Sequence, residues 1–129
     1  MAFEMIPERF NPMPMQIPPL LVNTHLPEAV VNLFKRLPYP WIGCGLQRRL
    51  IRTFNNEGCW CILWVGHPAL GRGEFPGVTA VSAMKAVKHD FSIYDAVIIE
   101  GFSFIPKHAA MVLWDKMRAA DVPIIGYQQ

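Results

Sequence analysis

At 129 residues, with 52% hydrophobic and 17% charged side chains, the chain has the length of one domain and too much apolar content to stay unfolded. Its net charge of +2 excludes nucleic-acid binding driven by global charge, so any such contact must rest on local clusters. Three cysteines are too few, and odd in number, for a disulfide scaffold, which points to a reducing, intracellular setting.

Residues 1–22 read as an extended arm rich in Met and Pro. Pro7, Pro12, Pro14, Pro18 and Pro19 each remove a backbone donor and hold the preceding residue extended. The arm lacks the basic lead and unbroken apolar stretch of a signal peptide, and Gly and Pro interrupt every apolar run before it reaches membrane-spanning length. Met5, Phe10, Met13 and Met15 suit packing on the chain's own surface or on a partner subunit. Trp41, between two predicted helices, is a further interface candidate. Residues 23–129 make the core domain.

The first predicted helix spans Leu26–Leu37, with Pro27 in its first turn and an apolar stripe of Leu26, Val30, Leu33, Phe34 and Leu37. The second runs from Gly45 to Phe54. There Leu46, Leu50, Ile51 and Phe54 face inward, and Arg48, Arg49 and Arg52 share the opposite side. With Lys35 and Arg36 these arginines are candidate RNA contacts, since each neutralised phosphate adds a salt-dependent increment to affinity. The competing reading is a solvated helix face, and no strand carries the aromatic signature that stacks bases.

Cys59–Val65 reads as a strand covered on both faces, with Trp60 and Trp64 in the core. The loop Gly66-His67-Pro68-Ala69-Leu70-Gly71-Arg72-Gly73 follows with the glycine spacing of a Walker A loop. Arg72 and Gly73 stand where that loop needs Lys and a hydroxyl for magnesium. A third helix is expected over Val78–His89, with Val81, Met84 and Val87 inward, and Ala96–Glu100 is a second covered strand. Gly66, Gly71, Arg72, Gly73 and Glu100 therefore form an alternative phosphate site; a dinucleotide fingerprint fails on the spacing of its third glycine. Pro106 opens a fourth helix with Ala110, Leu113, Trp114 and Met117 on one face, and Val122–Tyr127 supplies a third strand. This alternation predicts one compact α/β domain with a mostly parallel sheet of three to four strands flanked by helices.

Catalytic and metal chemistry find little support. Cys59 and Cys61 lack a second ligand pair for zinc. Cys44, Cys59 and Cys61 have no local partner signature for a nucleophile. Of His25, His67, His89 and His108, His67 beside Gly66 is the best placed for function. No catalytic residue, metal or cofactor is assigned.

From Met1-Ala2-Phe3-Glu4-Met5-Ile6-Pro7, through Cys59-Trp60-Cys61-Ile62-Leu63-Trp64, to Pro123-Ile124-Ile125-Gly126-Tyr127, the sequence resembles the minor inner-capsid protein of cystoviruses, bacteriophages with segmented double-stranded RNA genomes. The resemblance implies a role and no catalytic residue: a structural accessory of the polymerase complex that aids procapsid assembly, RNA packaging and RNA synthesis. It further implies a BRCT-like α/β core, a homodimer, contacts with inner-capsid and polymerase proteins, and a C-terminal tail beyond Gln129. The implied location is the virion inner capsid, and the host cytoplasm during assembly.

Overall fold

The computed structural model describes residues 10–12, 20–37, 45–71, 73 and 75–128, with the backbone alone at 10–12, 71 and 103. The strands are β1 (Phe10–Pro12), β2 (Leu20–Asn23), β3 (Ile62–Val65), β4 (Val78–Val81), β5 (Ala96–Glu100) and β6 (Ile124–Tyr127). The helices are α1 (Glu28–Arg36), α2 (Leu46–Asn56), α3 (Ala83–Ala86) and α4 (Lys107–Ala119). Short 3-10 turns sit at Pro68–Gly71, Phe91–Ile93 and Phe102–Phe104.

One sheet of order β1-β2-β6-β5-β3-β4 forms the centre. Four strands, β6, β5, β3 and β4, run parallel, whereas β2 joins β6 antiparallel and the three-residue β1 joins β2 antiparallel. The sheet is thus mixed, a correction to the mostly parallel expectation. Its cause lies at the N-terminus: Leu20 and Leu21 are buried and open β2, so a boundary after Val22 falls inside that strand.

Alternation along the central strands sends side chains into two cores. Ile62, Trp64, Ala96, Ile98, Ile125 and Tyr127 meet α1 and α2, while Leu63, Val65, Val97, Ile99 and Ile124 meet α3 and α4. The parallel strands β3, β5 and β6 are buried along almost their whole length, whereas β4 is the outer edge. Double coverage explains why they read as continuous apolar runs.

The helices follow from their sequences. In α1, Pro27 precedes the first turn, Glu28 lies at its positive end, and Lys35 and Arg36 lie at its negative end. Helix α2 buries Leu46, Leu50, Ile51 and Phe54 as one stripe. It ends in a Schellman cap, where Gly58 at φ 88° lets Cys59 N–H reach Phe54 O at 2.9 Å and Gly58 N–H reach Asn55 O at 3.0 Å. Between β2 and β6, Asn23 continues the ladder with its side chain. Its Nδ2 donates to Val122 O at 2.8 Å and its Oδ1 accepts from Ile124 N–H at 3.0 Å.

Three expectations are corrected here. Val78–Val81 is strand β4 and not the start of a helix, because its backbone pairs with β3 and its β-branched residues suit a pleated edge. The helix begins only after Ser82, whose hydroxyl accepts from Lys85 N–H at 3.3 Å as an N-cap. On that short α3 it is Ala86 that is buried, while Met84 is 47% exposed. Trp60, at 61% exposure, lies outside the core that Trp64 fills completely. It precedes β3, where Asp95 Oδ2 accepts from the main-chain N–H groups of Trp60 and Cys61 at 3.0 and 2.9 Å.

Candidate functional site at the strand switch point

The connection leaving β3 turns to one side, toward β4, and the connection leaving β5 turns to the other, toward β6. Between their carboxyl ends lies a topological switch point, the place where open α/β sheets gather ligands. The backbone is tight there. Gly66 at φ 104° passes so close to β5 that a Cβ on it would stand 2.5 Å from Glu100 O, which only glycine tolerates.

Glu100 ends β5 and turns its side chain toward the α1–α2 side. Its Oε1 accepts from the Trp64 indole N–H at 2.9 Å and from Gln47 Nε2 at 3.5 Å. Its Oε2 lies 3.3 Å from His67 Nδ1. The Glu100 side chain is 10% exposed and that of His67 is 38% exposed. Gln47 Nε2 also stands 3.4 Å from His67 Nδ1. A proton on Nδ1 satisfies the carboxylate: imidazole, amide and indole all donate to it, the Gln47 amide lies beside the imidazole N–H without bonding it, and the lone pair of His67 Nε2 points away. Gln47 is the second residue of α2, so the carboxylate also lies by the positive end of that helix.

The loop from β3 to β4 packs on this same side, with Leu70 and Phe75 against the α1–α2 core. The guanidinium of Arg48 stands 5.4 Å from the centre of the Phe75 ring. Arg48, Arg49 and Arg52 are all exposed on α2, and Lys35 and Arg36 are exposed on α1, which packs against α2. The five residues of the basic cluster therefore share one layer.

Across the sheet, the switch point opens into a cleft of about 270 Å³ bounded by Gly66, Ala83, Glu100, Gly101, Phe104, Ile105 and Pro106. Its rim is apolar: Phe104 is 80% exposed, and Met84 follows Ala83 in α3. Met111 at 58% and Val112 at 44% are exposed on α4 in the same layer. Sequence reasoning missed it, because Met84 fitted an inward stripe and Phe104 sits in a 3-10 turn with no periodicity.

Of the glycine-loop residues, Gly66 and Glu100 touch, Gly71 ends the 3-10 turn, and Gly73 adopts φ 93° beyond it. A strand, not a helix, follows the loop; Ala83, the first residue of α3, borders the cleft with Gly66 on one side of the sheet, and the N-terminus of α2 lies on the other. The carboxylate of Glu100 fills the position facing that terminus. Arg72, Trp41, Cys44, Met5, Met13 and Met15 lie outside the described residues, as does the side chain of Phe10. Burial, helped by the carboxylates of Asp95 and Glu57, pushes the Cys59 thiol up, which disfavours the thiolate. Among the described residues no cluster of three or more His, Cys, Asp or Glu could hold a metal, and no helix is long and apolar enough to cross a membrane. No protein-family model, curated protein or solved structure matches this chain.

Proposed function

We propose that the chain is a non-enzymatic structural and assembly protein of the polymerase complex of a segmented double-stranded RNA phage, acting through protein–protein contacts. One observation carries this reading. Of the six exposed large apolar side chains among the described residues, Met84, Ile93, Phe104, Met111 and Val112 belong to the α3–α4 layer. Aromatic and Met side chains concentrate where proteins bury surface against one another. The sequence resemblance supplies the partners, inner-capsid and polymerase proteins, and a second copy of the chain. The four-stranded parallel core is compatible with the BRCT-like description.

Purified inner-capsid and polymerase components, offered singly to the immobilised chain, test the proposal. At least one should be retained, and Phe104→Asp should release it without loss of fold. Retention of none overturns the proposal. So does micromolar binding of ATP or GTP with magnesium that disappears in Arg72→Ala, because the glycine loop is then a working phosphate site.

A second reading concerns the other layer. Exposure of Lys35, Arg36, Arg48, Arg49 and Arg52 together favours electrostatic RNA contact there, secondary to the protein contacts.

A further inference from the structure

The basic layer holds more than charge. Three kinds of group meet where the β3–β4 loop packs beside the first turn of α2, and each selects a different part of one ligand. Arg48, Arg49 and Arg52 are exposed at helical spacing and suit successive phosphates. The Arg48 guanidinium, lying over Phe75 at 5.4 Å, presents a flat cationic surface of the kind on which unstacked bases lie. His67, whose Nδ1–H donates to Glu100 beside the Gln47 amide, directs an acceptor nitrogen away from both. Nε2 has no hydrogen-bond partner among the described residues.

From this juxtaposition we infer that the end of α2 is a nucleotide subsite for single-stranded RNA, in which the base stacks on Arg48 and the ribose 2′-hydroxyl donates to His67 Nε2. The Glu100 carboxylate is what makes His67 selective. By holding the proton on Nδ1 it leaves Nε2 able only to accept, and a deoxyribose offers nothing to accept from. The carboxylate's own charge is taken up by the indole, amide and imidazole donors, so it does not face the phosphates bare. Duplex RNA keeps its bases stacked on one another and cannot use the platform.

The inference rests on the basic-layer reading, and the test separates the two. Fluorescence anisotropy with a labelled oligouridylate and the matching oligodeoxyuridylate, on the full chain, gives both affinities. The ribose strand should bind about fivefold more tightly, the worth of one hydrogen bond. His67→Ala should remove that preference, so that the two strands bind with equal affinity. Arg48→Lys, which keeps the charge and loses the flat surface, should weaken both strands about tenfold with little change in salt dependence. If neither strand binds, the basic layer has no RNA role and both readings fall. If both bind equally, or the ribose preference survives His67→Ala, the subsite is overturned and the basic layer stands. Loss of binding in Arg48→Lys no greater than assay error overturns the stacking platform.

Discussion

The two helical layers bury their shared sheet equally well and differ in what they show to solvent. On one side α1 and α2 turn out Lys35, Arg36, Arg48, Arg49 and Arg52, and none of the exposed large apolar side chains lies on these helices. On the other, α3, α4 and the turns beside them turn out Met84, Ile93, Phe104, Met111 and Val112. Packing needs only the inner faces, so the contrast is what supports the two proposed partners: an anionic one for the first layer and an apolar one for the second. Glu100 sits at the junction. Its main chain borders the apolar cleft and its side chain braces the basic layer.

The sharpest way to break this contrast is to compare two aromatic residues. Trp64 is completely buried and its indole holds Glu100, while Phe104 is 80% exposed. Trp64→Ala should cost about 3–5 kcal/mol in chemical denaturation. Phe104→Ala should stay within about 0.5 kcal/mol of the parent and yet release the protein partner. Equal destabilisation by both would mean that Phe104 is part of the core and that the α3–α4 surface is not a docking face.

Next in size is the strand that both layers share. Leu20 of β2 enters the α1–α2 core and Leu21 enters the α3–α4 core, and Asn23 closes the strand onto β6 with two hydrogen bonds. Asn23→Leu leaves Val122 O and Ile124 N–H without those partners, at a cost of about 2–3 kcal/mol. Because β2 spans both cores, hydrogen exchange should rise on both sides of the sheet. A rise confined to one side would show that the layers unfold independently.

Much of this architecture is legible in the amino-acid sequence. The α2 stripe is periodic and bounded by glycines, and Ala96–Glu100 is a continuous apolar run ending in an acid, so both emerge with bounds close to those observed. The failure at Val78–Val81 has a physical origin. Four residues cannot display a period that separates strand from helix, and the decisive signal is the N-cap at Ser82. Glu100 and His67 each stand out singly. Their union with Gln47 and Trp64 does not, because the four are brought together only by long-range pairing of β3, β5 and α2. Trp64 offers no hint beyond its burial, since a core tryptophan and one whose N–H braces a carboxylate look alike in sequence.

A smaller effect sharpens the electrostatic half of the contrast. Arg49→Ala with Arg52→Ala removes charge from an exposed face, so stability should move by less than about 0.5 kcal/mol. Affinity for single-stranded RNA should fall, and the slope of log affinity against log salt should shrink by about 0.7 for each phosphate no longer neutralised. A slope unchanged by both substitutions would detach the arginines from RNA and leave them as a solvated face.

The smallest expected effect concerns acid, and it too separates the layers. Asp90 caps the turn that carries Phe91 into the α3–α4 core, accepting from Ser92 Oγ at 2.6 Å and Ser92 N–H at 3.0 Å. The Ser92 side-chain bond, then its backbone bond, and then the attraction of Lys116 hold the carboxyl below its ordinary value of 3.8. A folded-state value below the unfolded one means that this group stabilises the fold above pH 3.8. The contribution is lost as pH falls from there through the folded value, because protons then bind the unfolded chain first. Asp90→Asn should therefore melt slightly below the parent at neutral pH, and the two should converge in strong acid. The carboxyl is fully exposed, so solvent screens the effect and the shift should be small. A gap that persists in strong acid would assign the cap to shape and not to charge. Phe91 should become mobile once the cap is removed while Trp64 stays fixed, since the partners of Asp90 among the described residues, Ser92 and Lys116, belong to the α3–α4 side.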